Sequence, residues 1–456
     1  MSDESQDYDL NTRAAIAGNG IAAYFGALRA FAPNAKLYLA TSALSSIAMG
    51  AYGVIQGLFI LNLGMREDLL GVILSVRMAA GAIGALPAGI ISDRLGRRPV
   101  LVTAGLLVAA GYLGQALFAS PGLIVLFSAI AGLAGVGQWV VGAPLLVESS
   151  TEKERATLFG VNFALQTAAS MLGNLVGGAL PDILSYLGLA GLGTWGLRVQ
   201  AGEDLLSAGA LRLAMIVFSV LSFSAMIPAW FIREARMERT EGRSANAWSD
   251  LRRGATQPAV RGLVIYSLLI GFGAGLVVPF FNVFLECKLH ASSSMIGLIL
   301  SLSQGATALA GLLAPLLVPR LGRVRAVVVT QLASVPFLLM IAMPPWLWLV
   351  GMAMFFRNSL MNMSNPLASS FSMEIMDKDL RGTTSSFMRI ADSVARALSA
   401  AAAGWIMIYW GYDVPYFFTA VLYVIASIVY YKYFAGYDQP TGTIPGGRGL
   451  DVRMTS

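Results

Sequence analysis

The run Gly89-Ile90-Ile91-Ser92-Asp93-Arg94-Leu95-Gly96-Arg97-Arg98 closes an apolar stretch too long for an ordinary soluble helix. A shifted copy, Pro315-Leu316-Leu317-Val318-Pro319-Arg320-Leu321-Gly322-Arg323, follows 226 positions later. At that offset about 12 of the 28 positions from Gly71 to Arg98 are identical in the second copy, where chance in so apolar a chain gives roughly two or three. The matches include Gly71/Gly297, Leu74/Leu300, Ser75/Ser301, Ala88/Ala314, Gly96/Gly322 and Arg97/Arg323. Farther on they continue as Glu148/Glu374, Arg155/Arg381, Thr157/Thr383 and Gly178/Gly404. One half of the chain is a diverged copy of the other.

Composition says which solvent this surface suits. With 56% hydrophobic residues, 12% charged and a mean hydropathy of +0.69 over 456 residues, a soluble form would expose large apolar patches. Lipid is the better solvent. The N-terminus carries Asp3, Glu4, Asp7 and Asp9 where a secretory signal would be basic, so residues 1–36 read as a cytoplasmic tail. Within that tail, Ile21 to Phe31 is either a short helix lying on the membrane surface or an extension of the first span. The single Cys287 excludes an internal disulfide, and the single His290 leaves little room for metal or nucleophile chemistry. No P-loop, dinucleotide fingerprint or GxSxG element is present. An enzyme, a cofactor and a nucleic-acid partner are therefore not expected.

Cutting at charge, Pro and Gly clusters leaves twelve apolar segments, each close to the ~20 residues that span a bilayer. They run from Leu37 to Gly64, Leu69 to Ser92, Val100 to Ala119, Gly122 to Val147, Thr157 to Leu180, Gly209 to Ile232, Arg261 to Glu286, Met295 to Val318, Ala326 to Met343, Trp346 to Ser370, Thr383 to Trp410 and Tyr416 to Ala435. The fold class is all-α and polytopic, with a six-helix bundle at 37–232, a basic linker at 233–260, a second six-helix bundle at 261–435 and a tail at 436–456. Lys and Arg collect in cytoplasmic loops. That rule puts the linker, Arg94 to Arg98, Lys153 and Arg155, Arg320 to Arg325, Lys378 and Arg381 on the inner side, with both termini. Asp182 to Asp204 reads as a longer outer loop.

The twofold-repeated twelve-span pattern, the basic middle connector and Gly-x-x-x-Asp-Arg-x-Gly-Arg-Arg after the second segment together resemble the major facilitator superfamily of secondary transporters. The likeness covers nearly all of residues 37 to 435. It implies two six-helix halves rocking about a central site that opens alternately to each side. It also implies that Asp93, Arg97 and Glu148, with Arg155 nearby, form a charge cluster locking the outward-facing state. Gly89, Arg94, Gly96 and Arg98 would serve the same gate, with Arg323, Glu374 and Arg381 as second-copy counterparts. Small Gly89 would admit a neighbouring helix, and Asp93 would face the positive N-terminus of another. Pro319 replaces the aspartate in the second copy, which makes the interlock lopsided. Gly173-Asn174-Leu175-Val176-Gly177-Gly178 is similar to an element of the family's proton-driven exporters. Close packing at Gly173 and Gly177 explains that element as well, and the fourth span lacks the arginine those exporters carry.

Ionisable groups near the bilayer centre cost at least ~2.5 kcal/mol each on insertion scales, so each needs a reason. Arg77 falls in the second span, Arg357 in the tenth, and Arg389, Asp392 and Arg396 in the eleventh. The last three share one helix face, where Asp392 can satisfy only one arginine fully. Asn162 and Gln166 occupy the equivalent face of the fifth span, and Gln56, Gln138, Asn282 and Ser303 add uncharged partners. Two readings stand side by side. In one, the surplus positive charge attracts an anionic group of a small-molecule substrate, and Asp392, with Glu286 as a second candidate, couples to a proton. In the other, all five charges form a static interhelical network.

The leading expectation is a monomeric secondary transporter in the cytoplasmic membrane, moving a small organic, anionic or amphipathic solute, with a coupling proton or ion. A proton-driven drug or metabolite efflux pump is the alternative within the class. A non-transporting receptor on the same scaffold and an intramembrane aspartyl protease are the alternatives outside it.

Overall fold

Two glycines explain how the repeated motif reverses the chain. Gly96 has φ 101° and ψ 163°, and its second-copy equivalent Gly322 has φ 80° and ψ 169°, a region that is essentially glycine-only. Each turns one helix directly into the next. In the computed structural model, residues 31–197, 205–233, 257–343, 345–375 and 381–437 are described.

Twelve helices of spanning length follow one another among those residues. In the first bundle they are α1 (Pro33–Asn62), α2 (Glu67–Leu95), α3 (Arg97–Leu117), α4 (Pro121–Glu148), α5 (Glu152–Tyr186) and α6 (Leu205–Trp230). In the second they are α7 (Pro258–Leu289), α8 (Ser293–Leu313), α9 (Arg323–Ala342), α10 (Leu347–Ile375), α11 (Arg381–Trp410) and α12 (Val414–Phe434). Proline opens α1, α4 and α7 at the first or second position, where its missing N–H is harmless. Ten helices are long and apolar enough to cross a membrane. The other two, α10 and α11, have 29 and 30 residues and carry Arg357 and the Arg389, Asp392, Arg396 set.

Several boundaries move. α5 begins at Glu152, five residues before the apolar segment, because Glu152 to Arg155 are good helix formers that simply continue past lipid depth. The expected outer loop starting at Asp182 begins later, since α5 runs on to Tyr186 and Asp182 lies within it. α8 stops at Leu313, and Pro315 and Pro319 break the rest into a 3₁₀ turn and a four-residue helix, Val318–Leu321. The proposed surface helix before Phe31, most of the linker and both tails lie outside the described residues.

The bundles meet along two crossings, α2 with α11 and α5 with α8. Both are built on the duplicated glycines. A Cβ on Gly71 would lie 2.8 Å from the Ala400 carbonyl, and one on Gly404 only 2.2 Å from the Glu67 carbonyl. At the other crossing a Cβ on Gly178 would lie 2.7 Å from the Gly297 Cα, and one on Gly297 2.9 Å from the Gly178 Cα. Small residues let backbones approach this closely. These contacts lie toward the end of the molecule opposite the arginine-rich loops, here termed the far end. Toward the basic end the crossing helices lose burial, as at Ile83 and Leu86 of α2, Leu312 of α8 and Ile390 of α11.

Hydrogen bonds between bundles reinforce the far end. The Asn282 amide on α7 donates to the Val54 carbonyl on α1 at 2.8 Å, and the Asn62 amide donates to Glu286 at 3.2 Å. The Ser294 backbone N–H donates to Asp182 at 2.9 Å, and the Tyr412 hydroxyl donates to Glu67. Burial, with the Glu67 carboxylate beside it, raises the Tyr412 hydroxyl above the ordinary tyrosine value.

Candidate functional site

In the first bundle a polar chain runs across three helices. Arg77 Nη1 on α2 donates to Gln56 Oε1 on α1 at 3.0 Å, and Gln56 Nε2 donates to Gln115 Oε1 on α3 at 2.8 Å. Gln115 in turn donates to the Gly111 carbonyl at 3.2 Å. Tyr52 and Tyr112 stack at 3.7 Å between ring centres alongside it. The partner of Arg77 among the described residues, Gln56, is neutral, so the charge is hydrogen-bonded but not cancelled. Nearer the basic end, Ser42 of α1 donates to Asn162 at 3.2 Å and accepts from Gln166 at 2.7 Å. The two expected α5 residues thus share one α1 hydroxyl.

In the second bundle Asp392 takes Arg396, not Arg389. Arg396 Nε lies 2.8 Å from Asp392 Oδ2, with both side chains about one third exposed. Glycines of α7 make room for that stretch of α11: a Cβ on Gly271 would lie 2.8 Å from the Asp392 carbonyl, and one on Gly275 2.7 Å from that of Arg396. Arg389, a turn closer to the basic end, is exposed and has no ion pair among the described residues.

Arg357 is placed differently from the other arginines. It is 2% exposed, donating to Asn358 Oδ1 at 2.8 Å and to the Tyr423 hydroxyl at 2.9 Å. Its guanidinium carbon lies 5.6 Å from the Phe281 ring centre and 5.7 Å from that of Tyr423. It is enclosed in the bundle and does not face the cleft.

Three other expected lining residues stand apart from these groups. Asn282 ties α7 to α1, as described. Gln138 lies against α3 beside Gly105, where a Cβ would come within 2.8 Å of its amide nitrogen. Ser303 is 3% exposed and its hydroxyl has no partner. Glu286 faces Asn62 at the far end and is remote from Asp392.

A polar strip on α10 escaped the sequence reading. Asn358, Asn362 and Asn365 share one face; Asn362 Nδ2 donates to Thr307 Oγ1 of α8 at 3.3 Å and to the Asn358 carbonyl at 2.9 Å. Asn365 Nδ2 donates to Asn362 Oδ1 at 3.1 Å. The i, i+4, i+7 spacing was the available signal, masked by the attention Arg357 drew. Between the other faces of α8 and α10 lies an apolar groove of about 750 Å³ lined by Leu298, Leu302, Trp346, Trp348, Met352 and Phe356. Nothing polar there could orient a solute.

The repeated motif assembles a charge cluster at the basic end. Arg97 donates to Asp93 at 2.6 Å, Ser92 at 2.8 Å and Glu148 at 3.3 Å, all within the first bundle. Asp93 is 68% exposed. Arg94 is exposed, Arg98 lies 5.7 Å over Trp230, and Arg155 and Arg323 are half-buried. The side chains of Glu374 and Arg381 lie outside the described residues. Gly89 does not act as a close-approach point here: a Cβ would meet only Val140 at 3.8 Å, ordinary contact, whereas the tight approach of α2 to α4 is at Gly81 and Gly84.

Residues 38–286 and 263–452 match the family model of the Major Facilitator Superfamily. The arabinose-proton symporter of Bacillus subtilis (strain 168) is 27% identical over 192 residues, 42% of this chain and 39% of the relative. The multidrug resistance protein MdtH of Cronobacter sakazakii (strain ATCC BAA-894) is 30% identical over 119 residues, 26% of this chain and 30% of the relative. The chain thus spans well under half the length of these curated relatives. Among solved structures, the nucleoside transporter NupG superposes with a TM-score of 0.68 at 15% identity, covering 89% of this chain and 99% of that one. A bacterial homolog of the human lysosomal transporter Spinster, inward-facing and occupied, gives 0.70 at 16% identity, with 88% and 96% covered. These likenesses establish the fold.

Proposed function

Because the chain belongs to the major facilitator superfamily, we propose that it is a secondary active transporter for a small organic solute bearing negative charge, worked by rocking of the two bundles. The observation that carries this reading is the charge balance at membrane depth. Arg77, Arg357, Arg389 and Arg396 stand on spanning helices against Asp392, which Arg396 already holds. Of the three accessible cations, Arg77 and Arg389 have no carboxylate partner among the described residues. A cation that costs free energy to insert is offset when an anion arrives beside it.

The positive-inside rule places the basic end in the cytoplasm, so the far-end seal faces outward and the described state opens inward. In that state Asp93, Arg97 and Glu148 stay within one bundle. On closure of the basic end Asp93 would meet the start of α11. Asp392 is the carboxylate positioned to couple solute movement to a proton, since protonation would release Arg396. The protein is expected to sit in the cytoplasmic membrane with both termini inside and to work as a monomer. The Gly173 and Gly177 element needs no export role, because both glycines pack on α1, at the Ile47 carbonyl and Ala51.

A thermal-shift screen of purified protein against organic anions, cations, neutral polyols and lipids identifies the solute, because a ligand stabilises the form it binds. Flux of the hit into proteoliposomes follows. Arg77→Gln and Arg389→Gln are expected to abolish flux while the amount of folded protein in membranes is unchanged. Stabilisation by cations alone, or undiminished flux in both variants, would reject the anion reading.

A further inference from the structure

The charge on Arg357 is not accounted for by solute binding, since burial removes it from the cleft. The side chains that meet it, Asn358, Tyr423 and Phe281, are uncharged. Among the described residues Arg357 has no ion pair, while Asp392 pairs with Arg396, Asp413 with Lys288, and Glu286 accepts from Asn62 of the other bundle. A buried cation without a counter-charge is among the least favourable arrangements a protein can hold, and aromatic faces offset only part of it.

Asn358 Oδ1 and the Tyr423 hydroxyl accept from Arg357, but two polar groups here are left over. Arg357 Nε is buried and makes no hydrogen bond, and the buried Tyr416 hydroxyl makes none either. Both groups flank Phe281: its ring centre is 5.6 Å from the guanidinium carbon and 6.4 Å from the Tyr416 ring centre. Asn358 turns its oxygen toward the guanidinium, which leaves its amide hydrogens as further donors. Guanidinium has no acceptor to offer, and a tyrosine hydroxyl can donate. A lining of donors around one fixed positive charge is the chemistry that recognises an anion.

We infer that Arg357 nucleates a buried site for a small monovalent inorganic anion of the chloride class, inside the second bundle and separate from the solute cleft. Burial of Arg357 to 2% exposure beneath the Phe281 and Tyr423 rings favours a small ion over an organic acid. A divalent oxyanion would overcharge the single guanidinium and lose more hydration than one cation returns. The bound ion would neutralise Arg357 of α10 where its side chain reaches Phe281 of α7 and Tyr423 of α12, so it stabilises the bundle without moving with the solute.

The test replaces sodium gluconate by sodium chloride or bromide at constant ionic strength while the unfolding temperature of the purified full-length protein is measured. A saturable rise with either halide is expected, lost in Arg357→Met. Because that variant risks misfolding, Tyr416→Phe serves as the second probe; it should move the half-saturating chloride concentration several-fold upward. Crystals grown in bromide should show anomalous density beside Arg357. Equal unfolding temperatures in chloride and gluconate, or a halide response that survives unchanged in Tyr416→Phe, would overturn the inference, as would bromide bound only elsewhere.

Discussion

Adding a single methyl group at Gly178 should prise open the far end. Its Cβ would lie 2.4 Å from the Ser293 carbonyl oxygen and 2.7 Å from the Gly297 Cα, and both obstacles are backbone, so no side chain can swing away. Ordinary carbon contact is 3.5–4.0 Å, which requires α5 and α8 to part by about 1 Å. Overpacking of this kind costs about 1–3 kcal/mol. In the proposed rocking motion the crossing would separate when the far end opens, so the cost would fall only on the sealed state, and a penalty on one of two states shifts their ratio by its full amount. The open population should rise about 5- to 150-fold. Gly404→Ala tests the other crossing, with its Cβ 2.2 Å from the Glu67 carbonyl. The crossings share no partner, so the double variant should shift by about the sum of the two. The single cysteine, Cys287, sits half-buried near the far end of α7 and is the natural reporter. Its modification by a membrane-impermeant thiol reagent should accelerate in both variants and most in the double. Gly311→Ala is the control, because a Cβ there meets nothing within 4 Å. If both crossing variants fold and label at the wild-type rate, or if Gly311→Ala accelerates labelling equally, the glycines do not hold the seal.

Two further outcomes follow from particular contacts. Arg212, 1% exposed on α6, caps the end of α3 by donating to the Ala116 and Leu117 carbonyls, each at 2.7 Å, and reaches the loop carbonyls of Gly193 and Trp195. Arg212→Leu should lose about 3 kcal/mol of stability as charge-assisted bonds vanish. Arg212→Lys should recover less than half, since an ammonium cannot fork between two segments; an unchanged unfolding temperature in Arg212→Leu would disprove the cap. Asp392→Asn should leave solute exchange across proteoliposomes intact while net flux ceases to respond to a pH gradient, and a retained pH response would remove Asp392 from coupling.

The helices were legible because lipid imposes a length and a composition on every span, and the duplication doubled each signal. Their ends were less so. Hydropathy registers where lipid stops, whereas α5 continues through the charged turn from Glu152 to Arg155 because nothing there breaks a helix. At the site, spacing alone showed that Asp392 could hold only one of Arg389 and Arg396, and the choice of Arg396 depends on the room that Gly271 and Gly275 leave on α7. That room is a property of another helix and is invisible along α11. The placement of Asn282 and Gln138 could not be read from sequence for a related reason. A lone polar residue in an apolar span has to bond to something, and sequence does not say whether that is solute, the other bundle or a neighbour within its own. Arg212 falls inside the expected sixth span, where the sequence reading did not single it out, and only the approach of the α3 terminus makes it structural.

What the two copies share and what they do not divides the molecule's labour. The positions that match across the 226-residue offset include the ones the proposed motion would need: Gly71 and Gly297, Gly178 and Gly404 at the crossings, Gly96 and Gly322 at the reversals. Each pair performs the same geometric task twice, and a rocking motion about a pseudo-twofold axis requires the two sides to yield alike. The polar positions have diverged across the same offset. Arg77 corresponds to Ser303, Gln56 to Asn282 and Gln166 to Asp392. Gln56 supports an arginine within its bundle while Asn282 clamps the other bundle, so one ancestral polar position has become part of a polar chain on one side and of a seal on the other. A solute is not symmetric about the axis, and the proposed coupling to a proton would need one carboxylate only. Asymmetry in the lining is therefore compatible with symmetry in the hinges, because the first is set by ligand chemistry and the second by how two similar bodies part.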